Sequence, residues 1–276
     1  MNPFTYLPIH QALKQVIQSI VIVDIDLLAY NLDTEYCYPW TATTSIFFTL
    51  SNDPLYLKQN NQYYSLPLCY VVGPRLVNDV INFGNKRRTL GITFKAGGFQ
   101  RLMGVPVNLL TKENVDLHQI FGRETQEVEE RLKEADSNIE ILIIIESFLL
   151  KRLYLMGKFS LFDLSIEQCV EANGNTQISK LASVAGLSIR QFERKCKERL
   201  GLSPKLFSRL TRFGNAYRLK ELNPNLNWTY IAYDSGYYDQ MHLIHDFKMF
   251  SGYSPSMINK IESYNIKVMS FLQGKY

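Results

Sequence analysis

The sequence predicts an α+β chain in two parts: a β-rich sandwich or small barrel that ends in helices, then an all-α region in which two similar helix pairs flank one long helix. Three observations predict it. In the first half, short β-branched and aromatic runs are cut by Pro, Gly and Asn. In the second half, one pattern of apolar, Gly and Ser-Pro positions occurs twice. Charge divides between the halves as well, with 14 Lys/Arg against 16 Asp/Glu in residues 1–157 and 16 against 10 in residues 158–276. The expected boundaries are 1–157 for the β-rich domain with its helices, 158–176 for a linker, 177–263 for the helical domain and 264–276 for a tail.

Composition removes several classes. Apolar residues make up 46% and charged residues 20% of 276, a globular balance over a length that suits two domains. The longest aliphatic run, Ile141 to Ile145, is closed by Glu140 and Glu146, far short of a bilayer span. No basic cluster precedes an apolar stretch at the N-terminus, so no secretory signal and a cytoplasmic location are expected. Cys37, Cys69, Cys169 and Cys196 form no CxxC pair and have no His at zinc-finger distance. They read as reduced thiols, mostly in core positions.

In the first half, strands are expected at Ile20–Val23, Ser45–Leu50, Tyr63–Leu66, Cys69–Val72, Val80–Phe83 and Leu90–Phe94. Helices are expected from Arg123 to Ala135, where Glu–Arg and Glu–Lys pairs fall at helical spacing, and from Ile139 to Met156, which is strongly aliphatic. Tyr36, Tyr38, Trp40, Phe47, Phe48, Tyr56, Tyr63, Tyr64 and Tyr70 are candidates for a pocket, although aromatic residues on strands more often fill a core. Lys86-Arg87-Arg88 reads as a solvated turn.

The repeat carries most of the information. Its first copy is Ile178-x2-Leu181-Ala182-x3-Gly186, then Ser188, Phe192, Cys196, Gly201 and Ser203-Pro204. The second is Trp228-x2-Ile231-Ala232-x3-Gly236, then Asp239, Leu243, Phe247, Gly252 and Ser254-Pro255. In each, a short amphipathic helix stops at a Gly suited to a left-handed turn, and Ser188 or Asp239 caps a second helix. Short helix, Gly-containing turn and capped helix describe a helix-turn-helix. Each Ser-Pro pair then starts a further helix. Pro204 to Leu222 is one long helix of ~29 Å, near the ~34 Å between successive major-groove faces, and Asn223-Pro224-Asn225 ends it.

With Phe192 and Cys196 turned inward, Ile189, Arg190, Glu193, Arg194 and Lys197 face outward as candidate DNA contacts. With Leu243 and Phe247 inward, Gln240, Met241, His242, Ile244, His245 and Lys248 do so in the second copy. Arg suits guanine O6 and N7, Glu the cytosine amino group, Gln adenine, and Met or Ile a thymine methyl. Ser188, Asp239, Arg209 and Arg212 are candidate phosphate contacts. Eleven basic residues against two acidic ones between Ile178 and Lys220 add a field that attracts phosphate backbones. His242 and His245, with Asp239 and Asp246 nearby, have a spacing that holds metals but lack a third firm ligand, so no metal is expected.

Ile178 to Ile258, and above all Gly236-Tyr-Tyr-Asp-Gln-Met-His-Leu-Ile-His-Asp-Phe-Lys followed by Phe250-Ser-Gly-Tyr-Ser-Pro255, resembles the DNA-binding domain of the AraC/XylS family of bacterial transcription regulators. The resemblance puts residues 189–199 and 240–250 in major grooves. Met241, Ile244 and His245 stand where polar or basic residues are common in that family. Val72-Gly-Pro-Arg, Leu90-Gly-Ile-Thr-Phe-Lys-Ala-Gly-Gly-Phe and Leu102-Met-Gly-Val-Pro resemble the cupin-like domain that precedes some of these regulators, which implies effector binding, dimerisation or both. The expected partners are double-stranded DNA, a small-molecule effector of open identity, a second copy of the chain and RNA polymerase. No cofactor and no membrane partner are expected. No Gly-x-Ser-x-Gly, phosphate-binding Gly-Lys-Ser/Thr loop or HExxH occurs, so no enzyme is expected. The competing readings are an interaction protein whose basic helices dock a protein or membrane, and an alkyl-transfer DNA repair protein, for which the cysteines are too scattered.

Overall fold

The computed structural model describes residues 3–38, 40–51, 53–76, 79–111 and 114–258. The expected tail, 264–276, lies outside them. The chain forms two compact units: Met1–Tyr36, Thr44–Gly73 and Asp79–Gly157 make one, and Cys37–Thr43, Pro74–Asn78 and Lys158–Tyr276 the other.

The strands are β1 (Phe4–Leu7), β2 (Ile17–Asp26), β3 (Glu35–Tyr38), β4 (Thr44–Thr49), β5 (Tyr56–Gln59), β6 (Gln62–Ser65), β7 (Cys69–Val72), β8 (Asp79–Asn82), β9 (Lys86–Phe94) and β10 (Asn114–Asp116). All six expected strands are present. Among the described residues they form two open sheets, in the orders β1-β2-β9-β4-β7-β10 and β3-β8-β5-β6, and no closed barrel. The barrel alternative is thereby corrected in favour of the sandwich-like one. The centre of the larger sheet is buried on both faces: all of β4 is buried, and Ile46 pairs across to Ile92 on one side and Val71 on the other. Burial on both faces lets β7 read as a continuous apolar run, Cys69 to Val72, rather than as an alternating one.

Four helices accompany these sheets: α1 (Gly98–Met103), α2 (Leu117–Phe121), α3 (Arg123–Glu134) and α4 (Asn138–Leu150). Ile141, Ile144, Ile145, Phe148 and Leu149 of α4 join Phe48, Leu90 and Ile92 of the sheet in one core. The expected helix to Met156 ends earlier, because a 3-10 turn at Leu153–Leu155 follows Leu150. The solvated-turn reading of Lys86-Arg87-Arg88 is corrected too, since Arg87 lies inside the unit. All its N–H groups are used, on Phe83 O, Ser51 Oγ, Asp53 O and Pro54 O, and burial lowers its pKa. Of the pocket candidates, Tyr36, Phe47, Phe48 and Tyr70 are buried in the core and Tyr56, Tyr63 and Tyr64 are exposed.

The second unit holds α5 (Leu161–Glu171), α6 (Ile178–Val184), α7 (Ile189–Leu200), α8 (Pro204–Leu222), α9 (Trp228–Asp234), α10 (Gln240–Ser251) and α11 (Pro255–Ile258). The span 158–176, expected as a linker, contains α5, which a capping box between Ser160 and Asp163 starts. Phe162, Ile166 and Cys169 are buried, with the Phe162 ring 5.6 Å from Phe192 of α7. Burial also pushes the thiols of Cys169 and Cys196 up, Cys196 to about 12, so both stay neutral core groups.

Helix α8 is more than a spacer. From Phe213 to Tyr217 every residue is buried, so no face of its middle meets solvent. Phe213 packs at 4.9 Å from Phe247 and 5.4 Å from Phe250, and Tyr217 stacks on Phe247 at 6.0 Å. Lys220, basic in sequence, is buried and donates to Pro224 O and Leu226 O at 2.7 Å each, closing the helix C-terminus as the dipole favours.

Candidate nucleic-acid interface

The two helix pairs are the same object built twice. α6 and α9 each have 7 residues, α7 and α10 each have 12. Both turns close alike: Gly186 N–H donates to Ser183 O and Leu187 N–H to Ala182 O, and in the second copy Gly236 N–H donates to Tyr233 O and Tyr237 N–H to Ala232 O. Gly186 and Gly236 take φ of +65° and +74°, where a side chain would be strained. Ser188 caps α7 through Gln191 in a capping box, and Asp239 caps α10 through the His242 amide. That amide, with the His242 ring behind it, holds the Asp239 carboxyl below its usual pKa. Gly201 and Gly252 end the second helices in the left-handed conformation.

On α7, Phe192, Cys196 and Leu200 are buried, while Ile189, Arg190, Glu193, Arg194 and Lys197 are exposed. Among the described residues Arg190, Arg194 and Lys197 make no ion pair and no side-chain hydrogen bond. On α10, Leu243, Phe247 and Phe250 are buried; Gln240, Met241, His242, His245 and Lys248 are exposed and Ile244 is half-buried. Gln240 Oε1 accepts from Thr229 Oγ1 at 3.1 Å, and His242 Nδ1 lies 2.8 Å from Asp239 Oδ1. His245 Nδ1 is 3.6 Å from Asp246 Oδ1.

Several other cations of this unit are occupied internally. Arg209 Nη2 donates to Asp246 Oδ1 at 2.6 Å, and Arg212 Nη2 to Gly174 O at 3.1 Å with its guanidinium over the Tyr237 ring. Arg199 Nη2 donates to Asp163 Oδ1 at 2.7 Å. The +9 balance of residues 178–220 therefore overstates the charge that faces outward. Sequence reasoning also passed over Tyr238, 92% exposed, and Tyr233, 84% exposed, at the turn and first helix of the second copy. The Tyr237-Tyr238 pair was visible, but the Gly236 turn alone decides that Tyr237 goes in and Tyr238 out.

This duplicated unit is a double helix-turn-helix, which supports a DNA-binding regulator of transcription. Residues 181–260 match the family model described as a helix-turn-helix domain, and residues 5–116 match a domain of unknown function, DUF6597. The chain is similar in fold to a point variant of ToxT from Vibrio cholerae strain SCE256 in its apo form, at 12% identity and a TM-score of 0.50, over 88% of this chain and 97% of that one. ToxT from Vibrio cholerae in its P21 form gives 13% identity and a TM-score of 0.47, over 94% and 98% of the two chains. No curated protein matches. Among the described residues no helix is long and apolar enough to cross a membrane.

Proposed function

We propose that one chain reads two adjacent major grooves, with α7 the stronger reader. The observation that carries this is the contrast among the cations: Arg199, Arg209, Arg212 and Lys220 are engaged within the unit, whereas Arg190, Arg194 and Lys197 stand exposed on one face of a capped helix. Arg190 and Arg194, one turn apart, present guanidinium forks suited to guanine, with Glu193 beside them suited to the cytosine amino group. On α10, Gln240, Met241, Ile244 and His245 supply shape and methyl contact with little charge, and Lys248 adds a cation near the end. Ser188 and Asp239 place helix N-termini at the DNA backbone, where amide groups favour phosphate. Arg209 and Arg212 act on DNA through the packing they hold.

Quantitative binding to a site selected from genomic fragments tests this. Arg194→Ala is expected to cost ~1–3 kcal/mol on the selected site and to relax preference at one or two positions, with His245→Ala costing less. Equal losses from both variants on every sequence tried would remove the assignment of α7 as principal reader.

The first unit regulates, by effector binding, self-association or both, and acts without turnover. Ile139 and Ile143, one turn apart on α4, are both exposed although the opposite face of that helix is core. Such a pair supports a self-complementary contact between two copies. Ile143→Glu is then expected to shift the sedimenting species from dimer to monomer without changing the thermal melt. A wild-type chain that sediments as a monomer throughout would refute the contact.

A further inference from the structure

The two copies of the helix pair differ chemically at the start of the second helix. In α7 the cap Ser188 and the third helical residue Gln191 close a capping box, and neither is ionisable. In α10 the matching pair is Asp239 and His242. Asp239 Oδ1 accepts from the His242 amide at 2.8 Å and lies 2.8 Å from Nδ1 of the same residue. The Tyr238 ring makes a T-shaped contact with the imidazole, centroids 6.0 Å apart and planes at 86°. The His242 side chain is 66% exposed, and its Nε2 has no partner among the described residues. A surface ring held from two sides, with one nitrogen left open, is poised to meet something outside the chain.

We propose that Asp239 positions His242 as a DNA phosphate contact that forms only with the protonated ring, so that the hold of α10 on DNA weakens as pH rises. This rests on the reading that α10 enters a groove. An ionised carboxylate accepts hydrogen bonds and has none to donate. The His242 amide holds the Asp239 carboxyl below its usual pKa, so Asp239 is ionised near neutrality and the ring proton stays on Nδ1. Neutral His242 then offers only a lone pair at Nε2, which a phosphate oxygen cannot use. Uptake of one proton from solvent turns that acceptor into a charged donor and changes the Asp239–His242 pair from net negative to neutral. Phosphate is the fitting acceptor because His242 lies in the first turn, beside the amides that favour an anion.

The surrounding charges make this proton matter. Lys248 is the one Lys or Arg of α10, near its far end, so the first turn has no fixed cation to set against Asp239. Further along, His245 Nδ1 is 3.6 Å from Asp246 Oδ1, an atom that Arg209 of α8 already holds at 2.6 Å. Helix α8 otherwise meets α10 on its buried side, where Tyr217 stacks on Phe247. Helix α9 brings Tyr230, Tyr233 and Asp234, all exposed, and α11 brings no charged residue. Of these groups only the two histidines are of the type that changes charge between about pH 5 and 8. Helix α7 has no histidine and carries Arg190, Arg194 and Lys197 in fixed charge, so pH acts on one reader and spares the other.

The test uses the full chain on the site selected from genomic fragments, titrated at about pH 6 and about pH 8 with ionic strength matched. Binding about tenfold tighter at the lower pH is expected, the worth of one charge-assisted hydrogen bond. The slope of log affinity against log salt should also steepen there by about one, as one more phosphate contact requires. His242→Gln is expected to flatten both changes and His245→Gln to leave both in place. Asp239→Ser keeps a cap of the kind Ser188 supplies but frees the neutral ring to carry its proton on Nε2. It is expected to bind more tightly at the higher pH and so to shrink the ratio, which a purely structural cap would not do. If Asp239→Ser does not fold by circular dichroism, nitrogen-15 shifts of the unsubstituted chain report the tautomer, with the His242 proton expected on Nδ1; a proton on Nε2 would overturn the inference. Equal affinity at the two pH values, a dependence that survives His242→Gln, or an undiminished ratio in folded Asp239→Ser would overturn it while leaving DNA binding intact. Absence of any preferred site at either pH would overturn it together with the reading it rests on.

Discussion

Replacing Asp163 by Ala is expected to destabilise the helical unit by about 3–5 kcal/mol, the usual consequence of removing one member of a buried ion pair. Asp163 is 5% exposed and Arg199 12%, and the Arg199 Nη2 to Asp163 Oδ1 bond is 2.7 Å long. The other carboxylate oxygen accepts from the Ser160 amide at 2.8 Å and from its hydroxyl at 2.6 Å, so the change also removes half of the capping box of α5. Because Arg199 lies on α7, the pair anchors the end of the proposed reading helix to α5, and DNA affinity should fall with stability. Asp163→Asn keeps a polar group at the cap while removing the charge, and a smaller loss is expected from it. Urea unfolding followed by far-ultraviolet circular dichroism measures both variants. A midpoint for Asp163→Ala equal to that of the unsubstituted chain would show that the pair contributes nothing.

Inserting ~5 bp between the two boxes of the DNA site is expected to weaken binding by about 10²-fold or more, because half a helical turn puts the second box on the opposite face and the second reader loses its effective concentration. The expectation rests on α8. Its 19 residues carry a solvent-free middle, with Phe213 and Tyr217 locked against Phe247 and α7 packed on the same helix. Changing the spacing between readers would open that core. Inserting ~10 bp restores the face but not the distance, and should also bind weakly. Site titrations with 0, 5 and 10 bp inserted decide the matter: equal affinity for all three would mean that the second reader is not engaged.

What the sequence determined by itself is local. A Gly in a left-handed turn, a Ser or Asp at a cap and a Ser-Pro at a helix start act over four or five residues, so the duplicated helix pairs could be placed from residues 178–258 alone. The buried stripe Phe192, Cys196, Leu200 and the outward face of α7 follow from helical period without any partner. Strand existence was legible where burial on both faces made a continuous apolar run, as in β7, and where large apolar residues alternate, as Leu90, Ile92 and Phe94 do in β9. Strands β1, β3 and β10 are short or mixed in polarity, and only pairing with other segments of the chain makes them strands. The Ser160–Asp163 box that starts α5 was a local signal passed over because the surrounding segment read as a linker.

Tertiary structure alone decided where the charges go and which distant residues meet. Nothing in the neighbourhood of Arg199 or Arg209 distinguishes it from Arg194. Their acceptors are supplied by segments brought up in folding, Asp163 for Arg199 and Asp246 for Arg209, as Asp53 and Pro54 are for Arg87. Cys69 likewise meets His118 and Glu129 only because β10 pairs antiparallel with β7 and leads into α2, against which α3 folds back. Propensity and period are properties of a few adjacent residues. A hydrogen bond between positions 50 or 60 apart is a property of chain topology, and it comes into being only when the sheet has closed its register.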